Sequence, residues 1–170
     1  MNERAKHIVI NELEALKQRI AKNIVSSGQN ASGRTIASLK VEEYDSGVRL
    51  LGRFPFGTLE TGRKPGKVPN SFIGIIEQWI RDKGIKAAPI PYIRIPSQNW
   101  QPKYNPQERG DMSLASAIAY KIKKEGTKLH RSGGRADVYS KEIPLTLENI
   151  RKRLTGMFKT EIQTININAK

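Results

Sequence analysis

Cysteine is absent from the chain. That excludes disulfides, thiolate metal sites and cysteine nucleophiles, and it fits synthesis in a reducing cytoplasm. Histidine is scarce: His7 and His130 are the only two, far apart in sequence. Each reads as an exposed polar residue, and no metal site or cofactor is expected. No apolar run approaches the roughly 18 residues of a membrane span. Met1 to His7 lacks the apolar core of a signal peptide. Acidic residues are in short supply, 16 Asp and Glu against 30 Lys and Arg, for a formal net charge of +14. Such a balance favours a polyanionic partner, either nucleic acid or an acidic protein surface, and is silent about fold. What remains, 37% apolar and 27% charged over 170 residues, is the composition of a globular protein able to bury a core. One domain, 1–170, is expected.

Periodicity supplies the elements. Glu3 to Val25 reads as a long helix, with Val9, Leu13, Leu16, Ile20 and Ile24 recurring at spacings of three and four. Ser26 to Gly33 is a flexible break, in which Asn30-Ala-Ser32 matches a glycosylation acceptor that has no meaning without a secretory signal. Arg34 to Leu39 adds a short helical turn. Leu39 to Tyr44 and Val48 to Leu51, joined by Asp45-Ser-Gly47, form a β-hairpin. Ser113 begins a helix with Leu114, Ala117, Ile118 and Ile122 on one face, and Gly126 ends it. Lys128 to Arg135 is a mobile basic turn. Asp137 or Ser140 caps a last helix that tolerates Pro144 in its first turn, with Leu147, Ile150, Leu154 and Met157 or Phe158 as its stripe. Thr164 to Asn168 alternates like a strand and is expected to pair with the hairpin.

The chain is organised around Leu59 to Gly84. Thr61 to Pro69 holds two glycines, two prolines and three cations and cannot be regular structure. Asn70 or Ser71 then caps a helix whose stripe is Phe72, Ile73, Ile76, Trp79 and Ile80, with Trp79 expected in the core. Gly84 stops it after Arg81 and Lys83. The residues Glu60, Gly62, Arg63, Pro65, Gly66, Pro69, Trp79, Lys83 and Gly84 resemble a signature of neck and tail-completion proteins of tailed bacteriophages, the broad group that includes the lambda minor tail protein Z type. The resemblance covers roughly residues 1–85 and, more loosely, the helix around Leu114 to Glu125. It implies a structural virion protein, made in the host bacterial cytoplasm. Repeated as a homo-oligomeric ring between head portal and tail, it would contact portal or adjacent ring proteins and give DNA a sealed passage.

Ile85 to Gly110 stands apart. Five of the nine prolines lie there (Pro89, Pro91, Pro96, Pro102, Pro106), with Tyr92, Trp100 and Tyr104. A structureless stretch this long is uncommon and is usually functional or disordered. It reads as a Pro-rich projecting arm, 85–110, with Tyr92 to Ile95 as a short edge strand between prolines. The three aromatics would serve as interface anchors.

Catalysis is not expected. Gly57 to Lys64 has P-loop glycine spacing, but Arg63 and Lys64 stand where Lys and Ser/Thr are needed, and Pro65 blocks the helix that would hold a phosphate. A restriction-type nuclease would want Glu-x-Lys, yet Gly62 follows Glu60 where the lysine belongs. No serine sits in a Gly-x-Ser-x-Gly turn. The fold expected is therefore α+β, a small antiparallel sheet of hairpin plus C-terminal strand on several helices, with the arm between them. Expected protein contacts are Glu60, Gly62, Arg63, Lys64, Pro65, Gly66, Lys67, Tyr92, Trp100 and Tyr104. The competing reading, a basic protein binding nucleic acid without sequence preference, rests on Lys121, Lys123, Lys124, Lys128, Arg131 and Arg135.

Overall fold

The computed structural model describes residues 2–93 and 101–168. They are helix-rich with one two-stranded antiparallel sheet, and they divide into two compact units. The first unit comprises residues 1–60 and 135–170, and the second is the contiguous segment 61–134.

In the first unit α1 (Glu3–Ser26) starts at Asn2, whose side chain accepts from the Arg4 amide. The four-residue helix α2 (Arg34–Ala37) follows, then β1 (Lys40–Tyr44) and β2 (Gly47–Leu51) in the register Tyr44 opposite Gly47 and Lys40 opposite Leu51. The core gathers Leu16, Ile20 and Ile24 of α1 with Leu39 and Val138. Each such burial contributes on the order of 1.5–3 kcal/mol. A 3₁₀ turn (Phe54–Gly57) and α3 (Thr58–Thr61) lead out of this unit.

The last helix, α7 (Glu142–Asn168), packs on α1. Polar pairs set the two antiparallel along their length: Arg19 donates to Glu142 at 2.8 Å and to Thr146 at 2.7 Å, and Arg153 meets the buried Glu12 at 3.0 Å. Here the expected C-terminal strand fails, because Thr164 to Asn168 continues α7. Two apolar residues in alternation are too few to define a strand. Thr160 and Thr164 return their hydroxyls to the carbonyls four residues back, Gly156 and Thr160, at 3.1 and 2.9 Å, which lets threonine sit in a helix. Ser140 does not cap α7, since its hydroxyl is donated to Glu60.

In the second unit α4 (Phe72–Asp82) packs on α5 (Pro106–Glu125). Phe72, Ile76 and Ile80 bury against Ala115 and Ala119, small residues that let the helix axes approach. The buried stripe of α4 is thus narrower than its apolar periodicity suggested. Trp79, expected in the core, is 39% exposed, and Ile73 is exposed as well. The inward face of α5 is likewise set by the alanines, and Ala117 lies outside it. Lys128–Arg131, expected as part of a mobile turn, forms the short helix α6.

α5 begins at Pro106 and not at Ser113. Asn105 accepts from the Glu108 amide at 2.8 Å and its own amide donates to the Glu108 carboxylate at 2.8 Å, a capping box with proline in the first turn. The helix runs through Gly110, whose missing Cβ lets residues 87–91 lie against it. A Cβ there would strike the Ala88 carbonyl. Gln107 donates to that segment at Ala87 (2.9 Å), Ile90 donates to Pro106 (2.8 Å), and Arg109 donates to the Ile90 and Pro91 carbonyls. No projecting arm is therefore seen among the described residues of 85–110. Trp100 and the expected strand's Arg94 and Ile95 lie outside them. Gly110→Val should dislodge residues 87–91 from the first turns of α5, read as faster amide exchange at Ile90 and proteolysis there, while Ser113→Val on the exposed face leaves both unchanged.

Candidate interaction surface

The signature loop is built as a clasp within the second unit. Gly62 adopts a φ of +68°, and a Cβ on it would fall 2.5 Å from the His130 amide nitrogen and 2.6 Å from Thr127 Oγ1. From there the loop runs along the corner between α5 and α6. The Arg63 amide donates to Thr127 Oγ1 (2.9 Å), the Thr127 amide donates to the Arg63 carbonyl (2.9 Å), and the Gly66 amide donates to the Lys123 carbonyl (2.9 Å). The Arg63 guanidinium turns inward as well. It donates to the Lys67 carbonyl at 3.0 Å and lies over the Phe72 ring at 5.1 Å. Gly66 also has positive φ, +132°, in open space.

Of the residues expected to make contacts, the clasp leaves Lys64, Pro65, Gly66 and Lys67 exposed. Gly62 is buried within the second unit and Glu60 within the first. Glu60 is 4% exposed. Its Oε1 accepts from three successive amides, Val138 (2.9 Å), Tyr139 (2.7 Å) and Ser140 (3.0 Å), and its Oε2 from the Ser140 hydroxyl. Burial pushes its pKa up, but the Ser140 hydroxyl and the Ser140, Tyr139 and Val138 amides outweigh that, and the net shift is below the ordinary glutamate value. The Glu60 carbonyl also accepts from the Arg135 amide at 2.9 Å, so the outgoing and returning backbones are tied together. Beside them Arg135 pairs with Asp137 at 2.5 and 2.7 Å and holds its carboxyl down to about 2.

Tyr92 donates its hydroxyl to the Tyr104 carbonyl at 2.9 Å and carries the Arg109 guanidinium over its ring at 4.0 Å; Tyr104 is half-buried. These two are held within the second unit. The basic residues assigned to nucleic acid divide. Lys121, Lys123, Lys124 and Lys128 are exposed, Arg131 is paired with Glu125, and Arg135 belongs to the first unit. The clasp brings Lys64 and Lys67 to the same α5–α6 corner as Lys123 and Lys128, two groups that sequence reasoning kept apart. Sequence reasoning also missed Thr127, although a threonine directly after a helix-ending glycine is the pattern of a new N-cap. Thr127 caps α6, its Oγ1 accepting from the His130 amide at 3.4 Å as well as from Arg63.

These features define a helix-rich α+β protein in which Gly62, Arg63 and Gly66 form an internal clasp that leaves Lys64, Pro65 and Lys67 exposed. No family model matches the chain, and no curated protein or solved structure shows significant similarity to it. Among the described residues no helix is long and apolar enough to cross a membrane.

Proposed function

We propose that the protein is a structural assembly component, a ring subunit in the neck of a tailed phage that joins head to tail, and not a catalyst. The observation that carries this reading is the clasp. The signature residues Gly62, Arg63 and Gly66 are spent on fixing the backbone at the α5–α6 corner, as expected of a motif that shapes a docking surface and does no chemistry. A loop so fixed presents Lys64, Pro65 and Lys67 with little ordering cost on binding. The neighbours are other copies of the chain and the portal or adjacent ring proteins, and the protein resides in the virion. Quantitative mass spectrometry of purified particles tests it: a copy number matching a ring supports the proposal, and one copy per particle or none ends it.

Nucleic-acid binding is the second reading, favoured by the charge of the second unit. Thr61 to Gly134 carries 14 Lys and Arg against 5 Asp and Glu, a net +9 of the chain's +14. The protein should bind duplex DNA weakly and without sequence preference. Replacing both Lys123 and Lys124 by alanine should reduce the slope of log affinity against log salt by about 0.9 for each phosphate that is no longer neutralised. Sequence-specific, nanomolar binding at physiological salt would instead make DNA recognition the main activity.

A further inference from the structure

A groove of about 580 Å³ opens on the second unit, its lining reaching Gly126, Thr127 and Lys128 at the α5–α6 corner. Ile76 and Trp79 of α4 form one wall, Ile118 and Ile122 of α5 the other, and Leu129 of α6 closes one end. The lining is almost wholly apolar, and the size falls within the range of sites that enclose a ligand-sized body. Its rim is cationic: Lys121 and Lys128 are exposed beside it, with Arg131 at the α6 end held by Glu125. An exposed tryptophan at helical spacing from a core isoleucine, over an apolar floor, has the make-up of an anchor point.

We infer that this groove is a docking site for an acidic peptide segment of another protein, one that seats bulky apolar side chains between α4 and α5 while its Asp and Glu residues meet Lys121 and Lys128. Charge complementarity selects the occupant. The apolar floor cannot use a sugar-phosphate backbone, and a basic or neutral segment gains nothing from the rim and is repelled or ignored by it. Facing helices with isoleucines one turn apart suit a short helix laid into the groove with anchors at spacings of three and four. The groove would serve this occupant whether or not the protein resides in a virion, because only the shape and charge of the second unit are needed.

The test uses the full chain carrying Trp100→Phe, so that Trp79 is the only tryptophan and its emission reports on the groove. The probe is a synthetic twelve-residue peptide with two leucines and a phenylalanine at helical spacing, flanked by aspartate and glutamate. It should shift Trp79 emission to the blue and saturate with a Kd on the order of 10 μM at low salt. Binding should weaken about tenfold at 0.5 M salt. Lys121→Glu combined with Lys128→Glu should weaken it at least about tenfold, whereas Lys159→Glu on α7 leaves it unchanged. Both variants replace exposed side chains, so a far-ultraviolet spectrum like that of the parent confirms the fold. Equal binding by a lysine-flanked peptide, or by an acidic peptide with serines in place of its apolar residues, overturns the inference. So does no spectral response at millimolar peptide, or a short DNA duplex shifting Trp79 emission where the acidic peptide does not.

Discussion

Gly62→Val should cost more than about 3 kcal/mol, the largest loss expected from any single change in the signature loop. Two effects add. A β-branched residue forced to φ +68° is strained by about 1–2 kcal/mol. Its Cβ would also lie 2.5 Å from the His130 amide nitrogen and 2.6 Å from Thr127 Oγ1. Neither neighbour can yield, since one is backbone and the other holds the Arg63 and His130 amides. The loop must therefore leave the α5–α6 corner, and the Arg63, Gly66 and Thr127 amides should lose exchange protection together. Lys64→Ala, at an exposed position of the same loop, should change stability by no more than about 0.5 kcal/mol. Denaturant melts of the two variants check this, and a Gly62→Val protein with the parent's midpoint would mean that the loop is only a connector.

Glu60→Ala should cost about 3 kcal/mol or more, because three amides and a hydroxyl are left without their acceptor in a buried place. Glu60→Gln should lose less. Its remaining oxygen still accepts from the amides, and its NH2 can donate to the Ser140 hydroxyl. The pH dependence separates charge from shape. The folded-state pKa of Glu60 is lowered, so as acid is added the unfolded chain takes up this proton first. The contribution is then fully present above the ordinary glutamate value and is lost as pH falls through the lower folded one. Urea melts between pH 7 and pH 3 should show a steeper acid loss for the parent than for Glu60→Gln. Parallel curves for the two proteins would show that the charge of Glu60 does not contribute.

Local pattern was legible where one face decides the structure. Leu16, Ile20 and Ile24 are the buried edge of α1, and the hairpin turns at Asp45 and Ser46, between the paired Tyr44 and Gly47. That Gly62 to Pro69 is irregular was legible too, from its glycines and prolines, and Gly62 and Gly66 there both have positive φ. What escaped depended on partners distant in sequence. Gly110 reads in sequence as the end of the arm, but it lies within α5, and its missing Cβ makes room for the Ala88 carbonyl. Glu60 was expected as a protein contact, but it is buried, and its donors lie almost eighty residues on, in a turn with no sequence mark of anion binding. Trp79 looked like core because periodicity alone cannot say where a neighbouring helix ends, and the groove it lines is shared by three elements.

The first unit is made from two segments that flank the second in sequence, and this sets an order on its making. Leu16, Ile20 and Ile24 precede the second unit in the chain, yet Val138 and the helix that packs on α1 are synthesised only after all of it. The second unit is contiguous and has its partners at hand before those residues exist. During translation it can be complete while the apolar edge of α1 is still uncovered and open to chaperones or to another nascent chain. Closing the first unit is a long-range event that waits for α7, and its more distant contacts favour slower formation.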